Sequence, residues 1–146
     1  VLGIVGVRGL ALEVYDADTL DSLGIIDAGK GPTHVEAGPD DRFYVADTRG
    51  GAILVYETSP ELGQVARVSL PGGSPYGMAL DTERDQLWVS LTAKNRLVQF
   101  DLGDDRPSRV GSYPTVRQPN SVAVDPGTGR VFVAGRTGEV LQVLDL

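Results

Sequence analysis

A unit of about 44 residues recurs along this chain, and that period constrains the fold more than any other feature. The copies are PTHVEAGPDDRFYVADTRGGAILVYE from Pro32 to Glu57, PYGMALDTERDQLWVSLTAKNRLVQFD from Pro75 to Asp101, and PNSVAVDPGTGRVFVAGRTGEVLQVLD from Pro119 to Asp145. The opening prolines are spaced by 43 and 44 residues. The closing acids Glu57, Asp101 and Asp145 are spaced by 44 and 44, and Asp16 stands 41 residues before Glu57. Each copy reads as two alternating strands around a turn, then a third strand. A repeat of this length made only of short strands is the signature of a β-propeller. A β-sandwich of similar strand count would not impose such equal spacing. A helical reading fails, because no stretch holds a spacing of three and four and the chain carries 19 Gly and 9 Pro.

The period divides the 146 residues into a partial blade at 1–28, full blades at 29–71 and 72–115, and a blade at 116–146 lacking its last strand. Strands are expected near 33–37, 43–47, 52–57 and 64–70, then 76–80, 87–91, 96–101 and 109–113, then 120–124, 131–134 and 139–145. The expectation is an all-β, incomplete arc of roughly three and a half four-stranded antiparallel blades, where closure takes about four to eight. The rest of the same propeller, or a partner chain, would complete the ring.

Composition narrows the partners. The chain has 13 basic against 20 acidic residues, a formal net charge of -7, and its arginines look dispersed. That argues against nucleic acid and against an anionic membrane surface. No apolar run is long enough for a membrane-inserted helix. Cysteine is absent, which removes disulfides, thiolate nucleophiles and cysteine metal sites. Gly29-Lys30-Gly31 lacks the spacing of a phosphate loop.

Register within the copies sorts core from candidate site. Val35, Met78 and Val122 share one first-strand position, and Tyr44, Trp88 and Phe132 share one second-strand position. An aromatic at a repeated position is expected to be buried between blades. Asp81 and Asp125 precede turns and should cap backbone amides, Asp47 belongs to an Asp-Thr turn, and Pro39-Asp40-Asp41 forms a hairpin turn. Asp16, Glu57, Asp101 and Asp145 should be structural or solvent-facing.

His34 is the sole histidine and breaks the repeat where Gly77 and Ser121 stand. The plainer reading is a loop that tolerates imidazole. The sharper one makes it a catalytic proton carrier at the channel mouth. Thr33, Tyr76 and Asn120 follow the prolines and vary from blade to blade, as ligand-binding positions do in repeat proteins.

The pattern of proline, a small residue, Val-Ala-Val-Asp, a glycine turn and Phe43-Tyr-Val-Ala-Asp-Thr48 resembles the YVTN-type and NHL-type propeller repeats over 32–146. That resemblance implies four-stranded blades around a channel, frequently in secreted, periplasmic or cell-surface proteins. Asn120 in Pro-Asn-Ser is also similar to the channel-facing asparagine of regucalcin- and gluconolactonase-like propellers. This likeness implies a divalent cation such as calcium, with Asn120 and Glu36 as its ligands here. Geometry opposes a tidy site, because whole blades separate His34 from Asn120. The regular repeats favour a non-catalytic module that offers its channel mouth and loops to a protein, glycan or small molecule and needs no cofactor. The alternative is a divalent-cation-dependent lactone hydrolase or lyase using His34, Asn120 and Glu36.

Overall fold

The computed structural model describes residues 1–39 and 41–146. Fourteen strands follow one another: β1 (Leu2–Gly6), β2 (Ala11–Tyr15), β3 (Ser22–Asp27), β4 (Pro32–Ala37), β5 (Arg42–Asp47), β6 (Ala52–Glu57), β7 (Gly63–Ser69), β8 (Pro75–Asp81), β9 (Gln86–Leu91), β10 (Arg96–Asp101), β11 (Ser108–Pro114), β12 (Pro119–Asp125), β13 (Arg130–Gly135) and β14 (Leu141–Leu144). The one helical segment among the described residues is a 3-10 turn at Thr92–Lys94. Asp40, part of the turn expected at 39–41, lies outside the described residues.

The strands form four antiparallel meanders, β1-β2-β3, β4-β5-β6-β7, β8-β9-β10-β11 and β12-β13-β14. These sheets stack face to face in chain order, with the first strands β4, β8 and β12 side by side. The architecture is a run of consecutive β-propeller blades.

Alternation along the strands serves two interfaces at once. Phe43 and Val45 of β5 pack with Leu12 and Val14 of β2, while Tyr44 and Ala46 turn the other way. There they meet Met78, Leu87 and Val89 of the next sheet. Trp88 and Leu97 repeat the step against Val131 and Val133. Each such side chain contributes about 1.5–3 kcal/mol on burial, so the interfaces dominate the stability of the arc. Tyr44 and Trp88 are buried as expected. Phe132 is only half-buried, because it lies on the face of β13 opposite to Val131 and Val133.

The repeat also lives in the backbone. Leu10, Gly51, Asn95 and Glu139 occupy one position in the turn after each second strand, and all have φ between 48° and 62°. In three blades the carbonyl of this residue accepts an amide from the start of the crossover: Ala28 to Leu10 at 2.8 Å, Leu70 to Gly51 at 2.7 Å and Thr115 to Asn95 at 3.0 Å. A left-handed residue is needed to aim that carbonyl, and the hydrogen bond offsets its cost in residues other than glycine.

The acids at the strand ends are structural. Glu57 pairs with Arg42 directly opposite it at 2.6 Å, and Asp145 pairs with Arg130 at 2.6 Å. Asp101 accepts the Gly103 amide at 3.0 Å, and Asp16 those of Asp18 and Thr19. Asp81 accepts the Glu83 amide and an Arg84 N–H, and Asp125 accepts the Gly127 amide at 3.1 Å and the Thr128 hydroxyl at 2.6 Å.

Two consequences can be measured. A Cβ built at Gly77 would stand 2.6 Å from the carbonyl oxygen of Asn120, which is backbone on the neighbouring first strand. Gly77→Ala should therefore destabilise the protein by about 1–3 kcal/mol in urea unfolding. Gly138→Ala, where nothing lies within 4 Å, tests left-handed strain alone and should cost about 1 kcal/mol. Separately, the hydrogen bond from Thr128, then the Gly127 amide, holds the Asp125 carboxyl below its ordinary range. Its contribution is present above the ordinary aspartate range and is lost as pH falls through the depressed value. Thr128→Val should raise the Asp125 titration midpoint seen by NMR and move acid unfolding to higher pH.

Candidate functional site

The first strands β4, β8 and β12 each begin with a buried proline and a break in register. β4 pairs Pro32 with Asp47 and then His34 with Ala46, β8 passes from Pro75 to Met78, and β12 from Pro119 to Ser121. A bulge at the same place in each blade takes Thr33, Tyr76 and Asn120 out of the ladder and re-aims them, a device common beside binding sites.

Pro75 and Pro119 are held by the blade before them. The Thr48 hydroxyl donates to the Pro75 carbonyl at 2.5 Å, and the Thr92 hydroxyl donates to the Pro119 carbonyl at 2.7 Å. Thr48 and Thr92 stand 44 residues apart, so this inter-blade bond is itself repeated. Thr33 joins it through a hydroxyl contact with Thr48 at 2.6 Å. Its hydroxyl therefore serves the frame. Tyr76 is 40% exposed, Asn120 is half-buried, and neither side chain has a hydrogen-bond partner among the described residues.

Asp47 completes the support from below the mouth. It is 2% exposed, and its Oδ1 accepts the amides of Lys30 at 3.0 Å, Gly31 at 2.9 Å and Gly50 at 2.9 Å. It binds the crossover that delivers β4 to the turn that ends β5. Gly29 and Gly50 leave room for it, since a Cβ at either would overlap the carboxylate. An aspartate flanked by two glycine-bearing loops was the available sequence signal for this role, but Leu91 and Gly135 at the equivalent positions obscure it.

His34 and Glu36 form a pair on one face of β4. Nε2 of the imidazole lies 3.0 Å from Oε1 of Glu36, with side-chain exposures of 35% and 27%. Both groups are reachable from solvent and each restrains the other. The structure does not bring Asn120 to them: β8 lies between β4 and β12, so His34 and Asn120 belong to strands that are not neighbours. Calcium needs about six to eight oxygens. Among the described residues no group of three or more His, Cys, Asp or Glu could hold a metal, and Glu36 is already engaged by His34. Glu36 and Asn120 alone therefore do not fit a cation site. A shallow depression lined by Leu80, Asp81, Thr82 and Leu102 lies at the opposite ends of the strands and contains none of these residues.

No family model matches the chain. Among curated proteins it is similar to lactonase drp35 of Staphylococcus haemolyticus (strain JCSC1435), with 31% identity over 115 residues that cover 68% of this chain and 34% of that protein. Among solved structures it superposes on a putative 6-phosphogluconolactonase from Bacteroides uniformis ATCC 8492 with a TM-score of 0.74 and 20% identity, covering 91% of this chain and 43% of that one. It also superposes on the β-propeller domain of Myceliophteria thermophila Cps50 (Swd1), with a TM-score of 0.75 and 11% identity over 94% of this chain and 48% of that one. The chain thus spans about a third of the curated relative and about half of each solved propeller. The structural likenesses establish the β-propeller fold.

The frame beneath the mouth has a direct test. Asp47→Asn keeps the shape but weakens charge-assisted bonds to three amides, each worth about 1.5–3 kcal/mol. Amide exchange at Lys30, Gly31 and Gly50 should accelerate together in this variant. Independent responses at the three sites would show that Asp47 does not couple them.

Proposed function

We propose that this chain contributes to a lactone hydrolase, with the starts of the first strands forming the substrate mouth and His34 moving the proton. The likeness to lactonase drp35 carries this reading, and the name of the Bacteroides uniformis neighbour points to the same reaction class. The weighting drawn from the residues alone, which put a non-catalytic binding module first, is thereby reversed. The finer assignment of the repeats as YVTN-like or NHL-like belongs to the same proposal.

The His34–Glu36 pair supplies the chemistry. With Nε2–H donated to the Glu36 carboxylate, Nδ1 carries a lone pair and accepts a proton from water. The water oxygen forms a bond to the lactone carbonyl carbon. The ring C–O bond then breaks, and the departing alkoxide recovers the proton from the imidazolium. Glu36 keeps the ring in one tautomer and orientation, as a carboxylate does for a histidine base elsewhere. Tyr76 and Asn120, with free polar groups at the adjoining bulges, orient substrate.

The test is hydrolysis of a simple neutral lactone such as δ-valerolactone, followed by acid release. His34→Ala should lower kcat by about 10²–10⁴-fold, the usual range for a positioned general base. Glu36→Gln, which retains a hydrogen bond, should show a smaller loss. Full activity in His34→Ala would remove the imidazole from the mechanism. Calorimetry with calcium before and after Asn120→Ala separates cation binding from it. On this reading Asn120→Ala leaves any calcium heat unchanged.

A further inference from the structure

Positive charge that looks scattered in the sequence gathers at one end of the arc. Each sheet places one cation in a turn at this end: Arg8 after β1, Arg49 after β5, Lys94 after β9 and Arg136 after β13. Lys30 and Arg117 add one each from the crossovers that lead to β4 and β12. All six are exposed, and among the described residues none takes part in an ion pair. Lys94 alone has a side-chain hydrogen bond, to the Pro71 carbonyl.

The opposite end is built differently. Its cations Arg42, Arg84 and Arg130 are tied to Glu57, Asp81 and Asp145. The surrounding turns add Asp16, Asp18, Asp41, Glu83, Asp85 and Asp104. So the net charge of -7 hides a polarity. At that end the acids outnumber the cations even with the unpaired Arg106 and Arg109 included, whereas around the first-strand starts the free cations outnumber the acids. Acids at the basic end do not cancel them. The acids at this end are fewer than the cations: Asp47 is buried on three amides, Glu36 faces His34, and Asp27 and Glu139 are exposed.

We propose that the ligand taken at this mouth is a small anion, a molecule bearing carboxylate or phosphate, drawn in by these unpaired cations. This rests on reading the first-strand starts as the mouth, and it adds the charge of the substrate to the reaction class. Cations gathered at one end raise the local anion concentration and the encounter rate, by about 10–10³-fold where the site is a cleft, an effect that salt removes. The opposite end repels the same ligand, so capture is confined to one side of the ring. Guanidinium groups suit both oxyanions through paired N–H donors.

The experiment separates this inference from the hydrolase reading. Binding of the trisulfonate dye pyranine is measured by fluorescence anisotropy in about 10 mM salt, where the Debye length is about 30 Å. The variant Lys30→Glu/Arg117→Glu/Arg136→Glu is compared with Arg109→Glu, an exposed residue of β11 without a partner. Dye affinity should fall at least about tenfold in the triple variant, stay within about twofold in Arg109→Glu, and vanish near 1 M salt. Circular dichroism confirms that the triple variant folds. An unchanged affinity, or an equal fall in both variants, overturns the proposal. In parallel, kcat/KM is measured for δ-valerolactone and for lactones bearing a carboxylate or a phosphate. Only the anionic lactones should lose rate in the triple variant, and the larger loss identifies the preferred group. Hydrolysis of the neutral lactone with no charge preference sinks this inference alone. Dye capture without hydrolysis of any lactone sinks the hydrolase reading and leaves the anion site standing.

Discussion

Sheets that stack around an axis must be wedges: close together at the first strands and farther apart outside. This constraint orders the rest of the molecule. Near the axis Gly77 lies with its Cα against the backbone of Asn120, leaving no space for a methyl group. One strand outward, Tyr44 and Trp88 fill the wider gap, and Trp88 packs against Tyr113 at 6.0 Å. Small inside and large outside is thus a geometric demand, and each sheet meets it on two faces at once. The indole N–H of Trp88 is buried with no hydrogen-bond partner among the described residues, so filling the wedge overrides full polar satisfaction there.

The same wedge explains what His34 does to the frame. It replaces the glycine of β8 and the serine of β12 at a position facing the next blade. β4 and β8 accordingly make a looser pair than β8 and β12. An imidazole and a carboxylate at the narrow edge open the packing and remain reachable from solvent. A reactive pair and a local relaxation of the stack are one event in this blade.

Much of the architecture was legible in the sequence because its signals are local and periodic. Alternation in Phe43–Asp47, the equal spacing of Pro32, Pro75 and Pro119, and the shared aromatic of the second strands all report sheet faces directly. Phe132 shows the limit of that logic, since a repeated residue is buried only where a sheet lies against it. Other features were hidden because they are pairings across turns. Nothing in the sequence marks Leu10 as left-handed, because the partner amide, that of Ala28, lies at the start of the next crossover. Asp47 and its three amides span 30–50 and look like a turn residue until the crossover folds over it. The free cations look dispersed because a period of about 44 residues separates side chains that the fold brings to one rim.

The hydroxyls of Thr48 and Thr92 give the arc a direction. Each belongs to one blade, yet it fixes the proline carbonyl beside Tyr76 or Asn120 in the next. A blade therefore carries the anchor for its successor's mouth residue and depends on its predecessor for its own. Gene duplication of such a unit copies anchor and anchored residue together, so a new blade arrives ready to be positioned. The residue after the proline is then free to differ, as Tyr76 and Asn120 do, while its placement is inherited from next door. Ligand preference in this scaffold can drift one blade at a time without loosening the ring.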